Sequence, residues 1–350
     1  MFAITSEVDE SWAVRQIKLR YGVPIPIASK DSSFKYAISP LTCEHVKHIL
    51  REEKPDVLHA FYVSNYGFLA AKTGFHPLIV TAWGSDILLN PEQHWILKRM
   101  IRRALQTADM VTTDSRRVQS KIVNLLIPGH SNDSKIYIIR CGTDVNLFKP
   151  EKRSLITRSE MGAAAGELIV ISIRALEPYY DVRTLVKAAG IVLQSEPSIR
   201  FVVAGGGSER DVLENLAVAH GVFNNFRFVG ELAQDEVVRY LASSDIYVST
   251  ALGDAGLASS TAEAMACRLP VIVSDVCDNK EFVTENVDGF LFPAGSYEAL
   301  ADRILSLVNN RFARFRMGAE GREQIVMNLN IEVEMGKMMQ LYQSVGDKKK

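Results

Sequence analysis

Only four cysteines stand in 350 residues, Cys43, Cys141, Cys267 and Cys277, and no two of them make a C-x-x-C pair. That scatter excludes both a zinc site of the paired-cysteine kind and a disulfide framework. Each lies in or beside an apolar stretch, which predicts small buried hydrophobes in a reducing compartment. No apolar run approaches the ~18–20 residues needed to cross a bilayer. The opening MFAITSEVDES has no basic lead and turns acidic by Glu7, so it does not read as a signal peptide. These absences predict a cytoplasmic protein, attached at most to the inner face of a membrane. Net charge is missing as well: 40 Lys and Arg against 41 Asp and Glu leave −1, without the basic excess that a nucleic-acid partner demands. Short repeats and low-complexity segments are absent, and 47% hydrophobic with 23% charged residues excludes collagen, coiled coil and disorder.

What is present is length for about two domains and an uneven distribution of charge. Residues 1–150 carry 19 basic and 14 acidic side chains, a net of +5, against −6 for the remainder. Short β-branched runs alternate with amphipathic stretches. In the first half strands are expected at 2–5, 57–61, 78–82, 110–113 and 135–139, with helices near 40–53, 92–107 and 115–126. Pro40 and Pro55 punctuate the first helix. A turn-rich stretch after Gly142 places a boundary near 150. Beyond it strands are expected at 168–173, 200–204, 227–229, 246–249, 271–274 and 290–292. Helices are expected near 182–194, 208–220, 235–243, 259–267 and 297–308. The predicted class is α/β: a domain over 1–150, a doubly wound domain over 151–328, and a C-terminal helix within 329–350.

In such sheets ligands bind beyond the carboxyl ends of the strands. After the strand ending at Ala204 come Gly205, Gly206 and Gly207, then a helix. Glycines there either let backbone approach a phosphate or simply form a tight turn. After the strand ending at Ser249, a loop through Gly256, Leu257 and Ala258 leads into a helix opening with Ser259 and Ser260 and carrying Glu263. Its free N–H groups suit a phosphate, and Glu263 suits sugar hydroxyls. The alternative is a capped surface helix with a solvated carboxylate.

The run from Glu263 to Asp275, EAMACRLPVIVSD, with NKE at 279–281 and DGFL at 288–291, resembles the retaining family 4 glycosyltransferases of the GT-B fold. RALEP at 174–178, FVVAGGG at 201–207, FVG at 228–230 and DIYVS at 245–249 match in the same order. PDVLH at 55–59, VTAWGSD at 80–86 and IRCGTD at 139–144 extend the likeness over nearly the whole chain. The resemblance implies two Rossmann-like domains facing across a cleft, the last helix returning toward the first domain, and a nucleoside diphosphate sugar held mainly by the second. It makes Arg174 the cation for the diphosphate, with 205–207 close by. Backbone at Phe228 and Val229 would receive the base, and Glu263, the second acid of E-x7-E, the ribose. It implies no metal or other cofactor, and same-face attack in which the leaving phosphate takes the acceptor's proton.

The chain departs from the family pattern in three places. Ala255 holds the position of the first acid, with Asp254 one residue early. Tyr179 and Tyr180 stand where a phosphate-binding lysine is usual, and a phenol carries no charge at neutral pH. The family's first strand, glycine loop and helix precede the strand that 2–5 resembles, so that unit is expected to be missing. The acceptor, a glycan or a lipid-linked sugar, is expected on the basic half near Trp83 and Asp86. Lys98, Arg99, Arg102 and Arg103 beside Trp95 and Ile96 predict either a solvated helix face or a peripheral contact with anionic lipid. Two further readings stay open: a non-catalytic nucleotide-sugar or glycan binder of the same fold, and a dinucleotide oxidoreductase. The second lacks a G-x-G-x-x-G, because Arg210 takes the third glycine position.

Overall fold

The β-branched runs fold as parallel strands, and the amphipathic stretches between them return the chain to the same sheet edge as helices. The computed structural model describes residues 2–5, 25–26, 40–88, 95–126, 135–253 and 256–346. Two units divide the chain, one of 1–140 with 334–350 and one of 141–333. The change of unit falls after Arg140, ahead of the turn-rich stretch, and hydrogen bonds explain why. Thr143 N–H donates to the Leu329 carbonyl at 2.7 Å, and Ile331 N–H to the Thr143 carbonyl at 3.1 Å. The Arg322 guanidinium reaches the carbonyls of Val145 and Phe148. The stretch is thereby fastened to the second unit.

In the first unit the strands are β1 (Phe2–Thr5), β2 (Ile25–Pro26), β3 (Leu58–Phe61), β4 (Leu78–Ala82), β5 (Met110–Thr113) and β6 (Ile136–Ile138). They lie in the order β2-β1-β3-β4-β5-β6, every described pair parallel. Side chains alternate between two faces. Leu58, Ala60, Leu78 and Val80 pack against the Pro40–Glu53 and Trp95–Thr107 helices. Val57, Ile79 and Met110 turn the other way, where Met338, Leu341 and Val345 of the Ile331–Gly346 helix cover them. At about 1.5–3 kcal/mol per buried side chain, those three anchors hold the C-terminal helix firmly.

The second unit contains β7 (Ile169–Ile173), β8 (Arg200–Ala204), β9 (Phe226–Gly230), β10 (Ile246–Ser249), β11 (Val271–Ser274) and β12 (Gly289–Phe292). Their order is β12-β11-β10-β7-β8-β9, all parallel. Val170, Phe201, Val203, Val248 and Ile272 face one helical layer, and Ile171, Val202, Tyr247, Val271 and Val273 face the other. Both faces are therefore covered, as a parallel sheet requires.

Several features differ from expectation, the helices Phe68–Thr73 and Leu155–Glu160 among them. The Ile25–Pro26 strand had no recognisable pattern. No clear amphipathic pattern marks helix Arg311–Asn328, because charge is spread around it and Gly318 and Gly321 separate its buried Met317 and Ile325. A Cβ on Gly318 would stand 2.1 Å from the Arg268 carbonyl oxygen, so backbone packs where a leucine would have signalled burial. Cys43 and Cys267 are buried, whereas Cys141 and Cys277 are exposed outside the helices and strands. Among the described residues no helix is long and apolar enough to cross a membrane.

Candidate functional site

The strand order of the second sheet reverses at β7. The chain leaves β7 outward to β8 and β9, then returns to β10 on the opposite flank. Helix Val182–Ser195 after β7 packs on one face through Val182 and Leu185, and helix Ser259–Ala266 after β10 on the other through Ala262 and Met265. Such divergence opens a crevice beyond the carboxyl ends of β7 and β10.

Arg174 is the first residue past β7. Its N–H donates to the Ala204 carbonyl at 3.1 Å, and its guanidinium lies 4.4 Å from the centroid of the Tyr180 ring, a cation–π contact. Tyr180 closes a single turn, Pro178–Tyr180, which Asp181 ends at φ 44°, a conformation that Asp tolerates better than most residues. This turn is stitched to the loop after β10. The Thr250 hydroxyl donates to the Tyr180 carbonyl at 2.9 Å, and Leu252 N–H to the Tyr179 carbonyl at 3.0 Å. The Tyr179 hydroxyl rests on Gly253, where a Cβ would stand 2.3 Å from it.

The glycine turn owes its composition to close packing. A Cβ on Gly205 (φ 136°) would meet the Arg174 carbonyl oxygen at 2.0 Å, and one on Gly207 (φ 152°) the Leu176 carbonyl oxygen at 2.3 Å. Over Gly206 lies the Glu231 carboxylate, and the Glu177 carboxylate accepts from Ser208 N–H and hydroxyl at 2.9 and 2.6 Å. Two acids thus stand at the turn expected to lie close to phosphate, a feature hidden in the sequence because Glu177 and Glu231 are remote from it along the chain. Gly205 N–H donates to the Gly230 carbonyl at 2.7 Å, which brings Phe228 and Val229 to the same edge. Arg210 donates to the Phe228 carbonyl at 3.2 Å and leaves that oxygen one lone pair. Val229 is half-buried.

Helix Ser259–Ala266 begins without a side-chain cap, because Ala258 at the cap has no oxygen to offer. Ser259 is exposed, and the half-buried Ser260 hydroxyl pairs with the Tyr247 hydroxyl at 2.7 Å. Gly256 N–H donates to the buried Asp278 carboxylate at 3.2 Å, and Leu257, half-buried, packs on the neighbouring core. Asp254 and Ala255 lie outside the described residues. Burial pushes the Glu263 carboxyl up to about 8, with no other influence acting on it, so at neutral pH it holds its proton.

Trp83 and Asp86 belong to the first unit, Trp83 in the turn after β4 and Asp86 in the short helix Ser85–Leu88 that follows it. Asp86 is fully buried: Val63 N–H donates to one carboxylate oxygen at 2.6 Å and Trp83 N–H to the other at 3.1 Å. Burial raises its carboxyl to about 6, opposed by those N–H bonds. Asp86 is therefore a fastener of the loop. The Trp83 ring, 49% exposed, meets Phe61 edge-on with centroids 6.3 Å apart. His59 is buried between the Tyr342 hydroxyl at 2.7 Å and the Thr81 hydroxyl at 2.6 Å, and burial lowers it to about 3, so it stays neutral. Among the described residues no three His, Cys, Asp or Glu side chains group as metal ligands.

The comparison with known families decides the class. A profile described as "Glycosyl transferases group 1" matches residues 156–324, and one described as "Glycosyl transferase 4-like" matches 3–115. The chain belongs to the family 4 GT-B glycosyltransferases. Within that family it is 25% identical over 236 residues to the GDP-mannose-dependent alpha-(1-6)-phosphatidylinositol monomannoside mannosyltransferase of Mycobacterium tuberculosis. That alignment covers 66% of this chain and 60% of the relative. The D-inositol 3-phosphate glycosyltransferase of Corynebacterium glutamicum is 25% identical over 288 residues, 77% of this chain and 67% of the relative. The chain spans about 60% of the length of the first of these. The GT-B fold itself is shared with Anabaena HepE, solved with UDP and glucose, at a TM-score of 0.80, 17% identity, and coverage of 98% of this chain and 99% of that one.

Proposed function

We propose that this chain moves a sugar from a nucleoside diphosphate sugar to a glycan or lipid-linked acceptor with retention of configuration. The reading rests on one observation above all: Arg174, the uncapped first turn of the Ser259–Ala266 helix and Glu263 follow β7 and β10, the strands at which the sheet reverses. A cation and backbone N–H groups would meet the charge growing on a departing diphosphate. Glu263 would meet the ribose, and the base would lie along Phe228 and Val229. The departing phosphate would take the acceptor's proton, so the scheme calls on no metal or other cofactor. The Mycobacterium relative is GDP-mannose-dependent by name and HepE was solved with UDP, so both bases belong in the test. In a thermal-shift panel of UDP, GDP, ADP and their sugar conjugates, with NAD as control, one nucleoside diphosphate is expected to stabilise. The gain is about 2.7 kcal/mol at ~100 times its dissociation constant. No response to any of them defeats the reading.

The alternative, a binder without turnover that Ala255 suggests, is not favoured by the transferases to which the chain is similar. Ala255→Glu separates the two: a binder gains measurable transfer only in the variant, whereas a working transferase already turns over without it.

The acceptor side of the proposal is the basic half, at the cytoplasmic face of a membrane. Helix Trp95–Thr107 carries Lys98, Arg99, Arg102 and Arg103 and no acid, with Trp95 and Ile96 exposed beside them. Its Ile96, Arg99, Met100, Arg102 and Arg103, with Phe68 and Lys72, line a groove of about 650 Å³. Cations over an apolar floor suit anionic headgroups, at about 1 kcal/mol per Lys or Arg. Arg99→Glu with Arg103→Glu is expected to weaken sedimentation with phosphatidylglycerol vesicles at least tenfold and leave neutral vesicles unaffected. Equal sedimentation of the variant removes this part of the proposal.

A further inference from the structure

We infer that Asp278 is the carboxylate that receives a hydroxyl of the donor's sugar, taking over the task of the acid that the family pattern expects at Ala255. The inference rests on the proposed function and deepens it. Asp278 lies between β11 and the short helix Asn279–Phe282, and β11 pairs with β10, so it stands at the carboxyl ends that border the crevice. It is 3% exposed. Although it holds the cap position of that helix, its side chain makes no cap hydrogen bond. The carboxylate turns instead to the loop after β10, where it accepts from the N–H of Gly256, the residue after Ala255, at 3.2 Å. The acid missing from the pattern thus has a counterpart beside its place, delivered from the loop of the neighbouring strand.

What is left open on this carboxylate decides its role. A carboxylate offers about four acceptor sites, and among the described residues Gly256 N–H is the one donor that reaches Asp278. No cation among the described residues pairs with it, since the nearby Lys280 reaches Asp275 at 2.9 Å. A buried acceptor kept short of donors costs the fold free energy, and a ligand hydroxyl that fills the open site recovers it. The carboxylate is also held still. Asn279 Nδ2 donates to the Ser274 carbonyl at 2.9 Å, and the Ser274 hydroxyl donates to the Ala251 carbonyl, so the loops after β10 and β11 are joined beside it. A sugar is the fitting partner. Phosphate oxygens are repelled by a carboxylate, whereas hydroxyls donate to it. Glu263 would take the hydroxyls of the ribose, which leaves those of the transferred sugar for Asp278.

The test is the sugar increment, the ratio of affinities for a nucleotide sugar and its nucleoside diphosphate. Calorimetry measures it with UDP-glucose against UDP and with GDP-mannose against GDP. Asp278→Asn keeps an oxygen for Gly256 N–H and loses the charge that a hydroxyl would meet. It is expected to lower the increment about tenfold, as for one charge-assisted hydrogen bond, while diphosphate affinity and Tm hold. Asp278→Gly should lower the increment at least as far, and adding Ala255→Glu should bring it back to within about threefold of wild type. A residue that only fastened the loop would behave otherwise: its loss would lower Tm and both affinities together and leave their ratio unchanged. An unchanged ratio in both single variants therefore overturns the inference while the donor reading stands. A double variant no better than Asp278→Gly overturns the exchange of task with Ala255. A wild type that binds neither UDP nor GDP instead removes the donor reading, and this inference with it.

Discussion

Asp86 in the first unit is fully buried and Glu263 in the second is half-buried, and burial raises the proton affinity of both carboxyls, to about 6 and about 8. Their surroundings differ in kind. Asp86 lies among backbone N–H groups, those of Val63, Trp83 and Gly84 and its own, which favour the charged form and limit the rise. For Glu263 burial is the sole influence. A carboxyl whose partners are all native backbone holds a fold together. One buried without such partners serves a fold poorly and has its acceptor capacity left for a ligand. In the sequence each is an acid in the segment that follows a strand, and the direction of neighbouring N–H groups separates their surroundings.

Removing Asp86 should have the largest effect. Asp86→Ala strands the Val63 and Trp83 N–H groups in a buried site and is expected to cost about 3–5 kcal/mol, at about 1–3 per unsatisfied group with a small cavity added. Denaturant unfolding of the first unit reads this loss. Glu263→Ala should cost less than half as much. Equal losses would break the contrast, since Glu263 would then be a fastener too.

The second effect is pH dependence. A carboxyl raised from 4.5 to about 8 keeps a proton in the folded state that the unfolded chain has released, so unfolding free energy falls as pH rises through that window. Asp86 and Asp288, each raised to about 6, act with the same sign at lower pH, while the lowered His59 acts oppositely below its ordinary 6.5. The clean interval is therefore pH 6.5 to 8, where Glu263 should remove about 2 kcal/mol at about 1.4 per pH unit. Glu263→Gln is expected to flatten the slope there, and Asp86→Asn to leave it unchanged. A flat wild-type profile would place Glu263 in water. A smaller signal sharpens the same point. If ribose hydroxyls donate to the Glu263 carboxylate, binding of the donor nucleotide at pH 7 should release about half a proton or more. Calorimetry in buffers of different ionisation enthalpy measures this, with Glu263→Gln correcting for the nucleotide's own phosphate.

The architecture was legible because parallel strands buried on both faces announce themselves: 78–82, 110–113, 200–204, 246–249 and 271–274 fold as their β-branched runs predict. Helix Arg311–Asn328 was illegible because two of its four buried residues are Gly318 and Gly321, and with only Met317 and Ile325 beside them the apolar stripe is too thin to stand out. At the site, the glycine turn could be read from its place after a strand, and Arg174 through the family resemblance. Spacing could not tell that the glycines serve the packing of two strand ends, or that Glu231 lies over one of them. The family resemblance marked Tyr180 as a missing lysine, and the approach of its ring to within 4.4 Å of Arg174 could not be read from either. Roles set by residues near in sequence were readable, and roles set across the sheet edge were not.

The smallest expected effect tests the contrast within one loop. Trp83 contributes two separable things: an N–H that Asp86 holds at 3.1 Å, and a ring that touches Phe61 edge-on while half of its surface stays exposed. Trp83→Ala keeps the N–H and loses the ring, so it should cost no more than about 1 kcal/mol, the worth of one aromatic edge contact. That is well under the cost of Asp86→Ala read in the same unfolding experiment. If the two losses prove equal, the ring and not the carboxylate secures the loop, and Asp86 returns to the pool of acceptor-side candidates. If Trp83→Ala is mild as expected, its exposed face is the part of this loop that a sugar acceptor can use, because the fold does not depend on it.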